Sequence, residues 1–223
     1  MARTGRLAQA MEHHMTQASQ LEAAAKLRED IAAFEPFNEQ EAADKQVILR
    51  ALDTNPNCFD RSEQAHMACS IWVVDPTMTQ TLLVYHNVYD SWSWIGGHAD
   101  NVRDLQAVAL RELQEETGVT RASIVPCGPG NIYSLDVLTV DGHEKHGAYV
   151  SSHLHLNVTY LAIADPEEPI RPKPDENSGV RWAPLEDSIR LSTEPWIRTR
   201  VYRKLIDKLD TAIPQHKEHH PPN

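Results

Sequence analysis

The chain has 223 residues, 41% of them hydrophobic, and a formal net charge of −11 at neutral pH. This length suits one large domain with an added segment, and the hydrophobic content is sufficient for a packed core. The acidic surface argues against a nucleic acid or an anionic membrane as a partner, because both would repel it.

Cysteine usage and hydropathy predict a cytoplasmic protein. Cys58, Cys69 and Cys127 are widely spaced and form no paired motif, which is typical of a reducing compartment. The N-terminal residues contain no apolar segment of the kind found in signal peptides. No apolar run approaches the roughly 20 residues that are needed to cross a bilayer.

Residues 1–62 are predicted to form a helical N-terminal extension. Polar helix-forming residues dominate from Leu7 to Ala33, and a Phe-Glu-Pro-Phe stretch then interrupts the pattern. Asn38 and Glu41 have the spacing of a capping box, which predicts a second helix ending near Asn55. We expect the extension to pack on the main domain. Three roles are open for the extension: it forms a homodimer interface, it caps the sheet, or it is a docking surface for a partner.

From about residue 63 the pattern changes to short β-rich runs separated by turns, which predicts a domain over residues 63–212. The predicted strands are Met67–Val74, Thr81–Tyr85, Ser91–Ile95, Ala122–Pro126, Ile132–Thr139, Val150–Ala164 and Val180–Trp182. Loops are predicted between the last three of them. Strands interleaved with helices predict a mixed sheet sandwiched by helices.

Two predictions concern the C-terminal part of the chain. A last helix is predicted to open at Ser192 or Thr193, and its apolar face is expected to consist of Trp196, Val201, Leu205 and Leu209. Residues 213–223 are predicted to form a disordered tail because they are polar and rich in proline.

The segment between Gly97 and Val119 is the most informative about chemistry. Glu112, Glu115 and Glu116 are spaced so that a helix would place all three carboxylates on one face. Like charges at this spacing repel one another and cost the helix stability. A divalent cation is the simplest reason to collect them, and carboxylates suit Mg²⁺ or Mn²⁺. The alternative is a solvated charged helix face.

A helix is predicted from about Asp104 to Thr117. Leu105, Ala109 and Leu113 recur at four-residue spacing and supply its buried stripe, and Gly118 is a plausible C-cap.

This segment resembles the signature box of the Nudix hydrolases. The pattern is Gly, five residues, Glu, seven residues, then Arg-Glu-apolar-x-Glu-Glu-x-Gly-apolar. The residues in register are Gly97, Arg111, Glu112, Leu113, Glu115, Glu116, Gly118 and Val119. Arg103 departs from the pattern, because it stands where the first Glu is expected, and Asp104 follows one residue out of register. The resemblance covers about residues 64–210 and implies a Nudix-like α/β/α sandwich with a mixed central sheet.

The resemblance also implies an activity. We expect a metal-dependent hydrolase that cleaves a pyrophosphate linkage in a small nucleoside-diphosphate derivative, with Mg²⁺ or Mn²⁺ as cofactor. The implied metal ligands are Glu112, Glu115, Glu116 and the carbonyl of Gly97. Glu112 and Glu116 are also expected among the catalytic residues, and Arg111 is expected to orient one of the box carboxylates.

A catalytic base is expected from a loop shortly before a late strand that contains Trp. Glu176 precedes Trp182 by six residues and is the favoured candidate for base or additional metal ligand. The rival acids in the same region are Asp175, Glu167 and Glu168.

Candidate substrate-binding residues are His98, Trp94 and Tyr133. His98 follows the paired glycines and would face a phosphate, whereas the two aromatic rings would stack on a base or else belong to the core. His153 and His155 lie two apart on a predicted strand and so share one face. They are candidates for contact with phosphate or metal, and a plain polar sheet face is the alternative.

Two other functions are consistent with the sequence. Arg103 reverses a charge near the predicted metal site, so either Asp104 or Asp100 compensates or activity is reduced. This departure supports a Nudix-fold module that senses a nucleotide without turnover. An isoprenoid-diphosphate isomerase shares the fold and would need a reactive cysteine, for which Cys69 is the nearest candidate.

Overall fold

The structure, a computed structural model, describes residues 17–145 and 147–212. The predicted tail at residues 213–223 lies outside these ranges. The helices are α1 (Gln17–Ala33), α2 (Glu39–Thr54), α3 (Leu105–Thr117), α4 (Leu185–Leu191) and α5 (Arg203–Ala212), and a π-helical segment (Ile197–Tyr202) leads into α5. The strands are β1 (Ala65–Val74), β2 (Gln80–His86), β3 (Ser91–Ser93), β4 (Ile95–His98), β5 (Ala122–Ile124), β6 (Ile132–Val140), β7 (His143–Lys145), β8 (Ala148–Val150), β9 (His153–Ala164) and β10 (Asn177–Pro184).

A mixed sheet forms the centre of the molecule. Strands β1 and β9 are parallel neighbours, and the order across the sheet is β10-β2-β1-β9-β5. Strands β3, β4 and β6 pair with β2, β1 and β9 respectively, all antiparallel. The predicted mixed α/β fold is therefore confirmed.

Alternate residues of β1 point to opposite faces of the sheet, and each face is covered by helices. Ile71 packs with buried side chains of α1, α2 and α3 in one hydrophobic cluster, whereas Trp72 packs with Leu205 and Leu209 of α5 in another. This arrangement is an α/β/α sandwich, and both clusters are nearly free of solvent. No helix in the described ranges is long and apolar enough to span a membrane.

Helix α2 of the N-terminal extension is joined to the domain by a buried network of charges. The Glu41 carboxylate of α2 lies 2.8 Å from Lys208 Nζ and 3.3 Å from Lys204 Nζ, both on α5. Lys204 Nζ also lies 2.7 Å from Asp136 on β6, and Ser134 donates a hydrogen bond to Glu41. Burial opposes ionisation of Glu41, but the two lysines outweigh it and lower the pKa of this carboxyl.

Local capping explains where the main helices begin and end. Asn38 accepts a hydrogen bond from the Glu41 backbone N–H at the start of α2, as its spacing predicts. Asp104 caps α3 through the Ala107 N–H. Gly118 ends α3 in the left-handed conformation at φ +80°, which is the conformation expected of a C-cap glycine.

Four local features of the structure differ from what the sequence predicted. Strands β7 and β8 form a hairpin where a loop was predicted, and the predicted strand Val150–Ala164 begins only at His153. The short helix α4 follows Pro184 within a region that carries no clear helical period. Trp196 is 44% exposed instead of lying in the apolar face of the last helix, whereas Val201, Leu205 and Leu209 are buried as predicted.

Candidate active site

Two glycines of β4 allow α3 to approach the sheet closely. Gly97 pairs with Cys69 of β1, and a Cβ at position 97 would lie 2.7–2.9 Å from side-chain atoms of Glu112. A Cβ at Gly96 would lie 2.5 Å from the Cys69 carbonyl oxygen. Neither separation is tolerated, so only glycine lets the Glu112 carboxylate rest on the strand.

Three carboxylates converge beside these glycines. Glu112, Glu116 and Glu176 each place an oxygen within 4.8 Å of the others. Glu116 is only 4% exposed, and the Gly96 N–H reaches its Oε1 at the long distance of 3.4 Å. Burial raises the pKa of Glu116 to about 8, and the charges of Glu112 and Glu176 add to the effect. Burial likewise raises the pKa of Glu112, against the opposing influence of Arg111.

The cationic side chains near the three carboxylates, Arg111 and Lys173, form ion pairs with acids other than Glu116. Arg111 Nη2 donates to Glu112 Oε1 at 2.9 Å, whereas its Nε is 3.9 Å from Glu115 Oε1. Lys173 Nζ lies 3.0 Å from Glu176 and 3.2 Å from Glu115. The Glu115 side chain is 44% exposed and lies outside the converging set. The closest carboxylate to Arg111 is thus Glu112, and the orienting role of Arg111 stays a prediction.

The loop before β10 is fixed to α3 by a buried amide. Asn177 is fully buried, and its Nδ2 donates to the Glu116 carbonyl at 3.1 Å. Its Oδ1 accepts from the Lys173 N–H at 3.1 Å, and the Glu176 N–H donates to the Lys173 carbonyl at 2.9 Å. This turn brings Glu176 to the site. Of its rivals, Asp175 and Glu167 are exposed, and Glu168 accepts hydrogen bonds from Thr120.

The carboxylates line a cleft of about 530 Å³ whose walls carry aromatic side chains. Trp94, Tyr89 and Tyr202 contribute to this wall, and His98 and His155 lie along it. Tyr133 does not, because it is buried against α5 and its hydroxyl donates to the Leu205 carbonyl. This placement contradicts the prediction that Tyr133 binds substrate.

The unusual Arg103 points away from the cleft. Its guanidinium lies 5.1 Å from the centre of the Phe59 ring and donates to the Asn101 carbonyl at 3.1 Å. Asp104 is engaged as the cap of α3, whereas Asp100 lines the cleft and forms an ion pair with Arg61. The reversed charge at position 103 is therefore kept apart from the carboxylates.

Three residues of the site were not found from the sequence, namely Arg61, Lys173 and Asn177, and Asp100 was named only as a compensating charge for Arg103. Lys173 lies three residues before Glu176, so a search for a cation beside the proposed base would have found it. Arg61 and Asp100 meet across 39 positions of sequence, and no local spacing predicts such a contact.

A sequence model described as the NUDIX domain matches residues 65–205. The chain belongs to the NUDIX family. The matched segment begins at β1 and ends within α5, so it contains every residue of the carboxylate cluster. No curated protein matches the chain.

Several solved structures resemble this NUDIX protein over about two thirds of its length. A Caenorhabditis elegans Ap4A hydrolase is 20% identical, covers 65% of this chain and 95% of its own, and gives a TM-score of 0.45. The Escherichia coli dihydroneopterin triphosphate pyrophosphohydrolase is 12% identical, with coverages of 64% and 95% and a TM-score of 0.49. The NUDIX domain of Shewanella oneidensis NrtR, in complex with ADP ribose, is 17% identical, with coverages of 73% and 96% and a TM-score of 0.45.

Proposed function

We propose that this NUDIX protein is a hydrolase that depends on Mg²⁺ or Mn²⁺ and cleaves a pyrophosphate linkage in a small nucleoside-diphosphate derivative. The observation that carries the proposal is the state of Glu116. This carboxylate is buried beside two others, and no Lys or Arg in the described ranges forms an ion pair with it. A buried charge without a partner is costly, so the site suits a bound cation.

The donor set fits a hard divalent cation. Glu112, Glu116 and Glu176 offer carboxylate oxygens only, which Mg²⁺ and Mn²⁺ prefer over softer ligands. Glu115 lies outside this set of three carboxylates. Glu115 and the Gly97 carbonyl remain proposed as further ligands. Such a cation neutralises phosphate oxygens and activates water when it is bound.

The protein's own side chains supply the remaining functions. Glu176 lies on a loop, where it would accept a proton from the attacking water, and Lys173 holds its carboxylate in position. Lys173 and Arg61 also line the cleft, where each offers N–H donors to an anionic diphosphate. The ring faces of Trp94 and Tyr89 offer a surface on which a base could stack.

The experiment is incubation of the full chain with Mg²⁺ and a panel of nucleotides. ADP-ribose, Ap4A, dihydroneopterin triphosphate and nucleotide sugars cover the compounds named for the similar structures and the wider substrate class. We expect two phosphorylated products from at least one compound, no product in the presence of a chelator, and loss of turnover in Glu116→Gln. Tight binding without turnover across the panel would favour the nucleotide-sensing alternative that Arg103 suggests.

The isomerase alternative is disfavoured by the state of its cysteine. Cys69 is buried, and burial together with the Glu112 charge raises the pKa of its thiol well above the usual range. Catalytic cysteines normally have lowered pKa values, because the thiolate is the reactive form. The cytoplasmic location, the homodimer and the absence of nucleic-acid partners stay predictions.

A further inference from the structure

Four histidines meet at one end of the cleft, and we call them the histidine cluster: His66 of β1, His98 of β4, and His153 and His155 of β9. Sheet register brings them together. The parallel pairing of β1 with β9 aligns His66 with His155, and the pairing of β1 with β4 places His98 opposite Ala68. Residues two apart on a strand share a face, so His153 joins His155 on the same side.

The spacing within the histidine cluster is that of ligands around one ion. Each residue offers a ring nitrogen, and these four nitrogens lie within 4.8 Å of one another. The Nε2 atoms of His153 and His155 are 3.2 Å apart, and neighbouring ring centres are separated by 4.8–5.2 Å. With metal–nitrogen bonds of about 2.0–2.1 Å, tetrahedral coordination separates ligand nitrogens by about 3.3 Å and ring centres by about 5 Å.

Hydrogen bonds to backbone carbonyls set two of the rings in the ligand tautomer. His66 Nδ1 lies 2.8 Å from the Glu63 carbonyl oxygen, and His153 Nδ1 lies 2.8 Å from the Ser151 carbonyl oxygen. A carbonyl can only accept, so each Nδ1 carries a proton, and in the neutral ring the lone pair is then on Nε2. An outer hydrogen bond of this kind is the usual companion of a metal-bound imidazole.

A separate observation, made at His66, supports a bound ligand at the histidine cluster. The residue is 1% exposed, and its Nε2 has no hydrogen-bond partner in the described ranges. A buried polar atom without a partner costs free energy, and such atoms are uncommon in native proteins. Burial also lowers the pKa of His66, and it lowers that of His155 to about 2 with help from the other histidines. The neutral imidazole that results is the form that binds a metal.

We propose that the histidine cluster is a binding site for a first-row transition-metal dication of borderline softness, with Zn²⁺ as the best fit. Imidazole nitrogen suits Zn²⁺, whereas the oxygen-only set at Glu112 and Glu116 suits Mg²⁺ or Mn²⁺. The two sites differ in donor chemistry although both border one cleft. The nearby Arg61 guanidinium is paired with Asp100, so its charge is largely compensated at the cluster.

The experiment uses Co²⁺ as a spectroscopic probe and Zn²⁺ in calorimetry. The chain carries further histidines near its ends that could bind these metals, so the reference protein is the full chain with those residues changed to Asn: His13, His14, His216, His219 and His220. After removal of metals, we expect one Zn²⁺ per chain and the intense visible absorption of tetrahedral Co²⁺. Zn²⁺ should displace this absorption.

Matched variants assign the ion to one of the two sites. His155→Asn and His98→Asn should each weaken Zn²⁺ binding by at least about 100-fold, because loss of a ligand exceeds loss of an outer hydrogen bond. Glu112→Gln should leave the Co²⁺ spectrum unchanged. Circular dichroism shows whether each variant is folded, and His98→Asn is the safer one because His98 is only half-buried.

Two outcomes would overturn the proposal. One is absence of stoichiometric Zn²⁺ uptake by the reference protein, which decides the question whether or not the variants fold. The other is a tetrahedral Co²⁺ signal that survives both histidine changes or disappears in Glu112→Gln. Neither result would affect the assignment of the carboxylate cluster, which is tested by Mg²⁺-dependent turnover.

Discussion

Glu116→Gln is expected to stabilise the metal-free protein at neutral pH while it removes turnover. Glu116 is buried, and its pKa is raised from 4.5 to about 8 in the folded state. The folded protein therefore keeps a proton on this group over a pH range in which the unfolded chain has lost it. Stability from this group is greatest below about pH 4.5 and declines as the pH rises towards 8. Glutamine resembles the protonated form and has no such dependence.

The size of the effect follows from proton linkage. One proton held by the folded state alone lowers the free energy of unfolding by about 1.4 kcal/mol per pH unit. Between pH 6.5 and 7.5 the wild type should lose about 1 kcal/mol more than Glu116→Gln does. Summed from the carboxyl's ordinary pKa to pH 7.5, about three pH units give a difference on the order of 3–4 kcal/mol in favour of the variant.

The assay is urea unfolding of wild type and variant in a chelator at pH 6.5, 7.0 and 7.5. Glu115→Gln is the control, because Glu115 is on the same helix turn but is partly exposed, and it should keep the wild-type pH dependence. Mg²⁺ should then stabilise the wild type and leave Glu116→Gln nearly unchanged. Parallel pH profiles for the wild type and Glu116→Gln, or equal stabilisation of both by Mg²⁺, would refute the reasoning.

Three further changes test how the site and the fold are supported. Gly97→Ala should lower kcat by roughly 100-fold, because the added methyl displaces the Glu112 carboxylate; unchanged steady-state rates would count against the close approach. Asn177→Ala should reduce kcat about tenfold and speed hydrogen exchange in its loop, since the tie to α3 is lost; an unaltered exchange rate would contradict this. Glu41→Gln should destabilise the fold by about 3–5 kcal/mol in thermal or urea unfolding, because it leaves a buried lysine without its counter-charge. Glu39→Gln on the same helix is exposed and should leave the free energy of unfolding nearly unchanged, and similar losses for both variants would show that the buried network is unimportant.

The parts of the fold that depend on local chemistry could be predicted from the sequence. The cap at Asn38, the helix that ends at Gly118 and the central β-rich runs all follow from residues close in sequence. Trp196 shows the limit of this reasoning. Apolar character alone grouped it with Val201, but Trp196 precedes Val201 by five residues, which is about 140° around a regular α-helix. That spacing does not place Trp196 on the apolar face, and the side chain lies at the surface.

The carboxylate cluster was predicted only in part for a related reason. At 3.6 residues per turn, Glu112 and Glu116 are about 40° apart around the helix, whereas Glu115 is displaced about 60° to the other side of Glu112. The first two face the cleft together, and Glu115 turns towards Lys173 and solvent. The angles within the helix therefore favour the pair Glu112 and Glu116, and Lys173 on the neighbouring loop pairs with Glu115 away from them.

The buried carboxylates of Glu41 and Glu116 differ in whether lysines of the protein compensate their charge. Glu41 has Lys204 and Lys208 within 3.3 Å, and these cations lower its pKa although the residue is fully buried. Glu116 is buried almost as completely beside other acids, and its pKa is raised. A buried acid whose pKa is raised beside other acids is the arrangement expected of a functional site. The first carboxylate is satisfied by folding alone. If the proposed cation binds at the second, its binding and folding are expected to be thermodynamically coupled at Glu116.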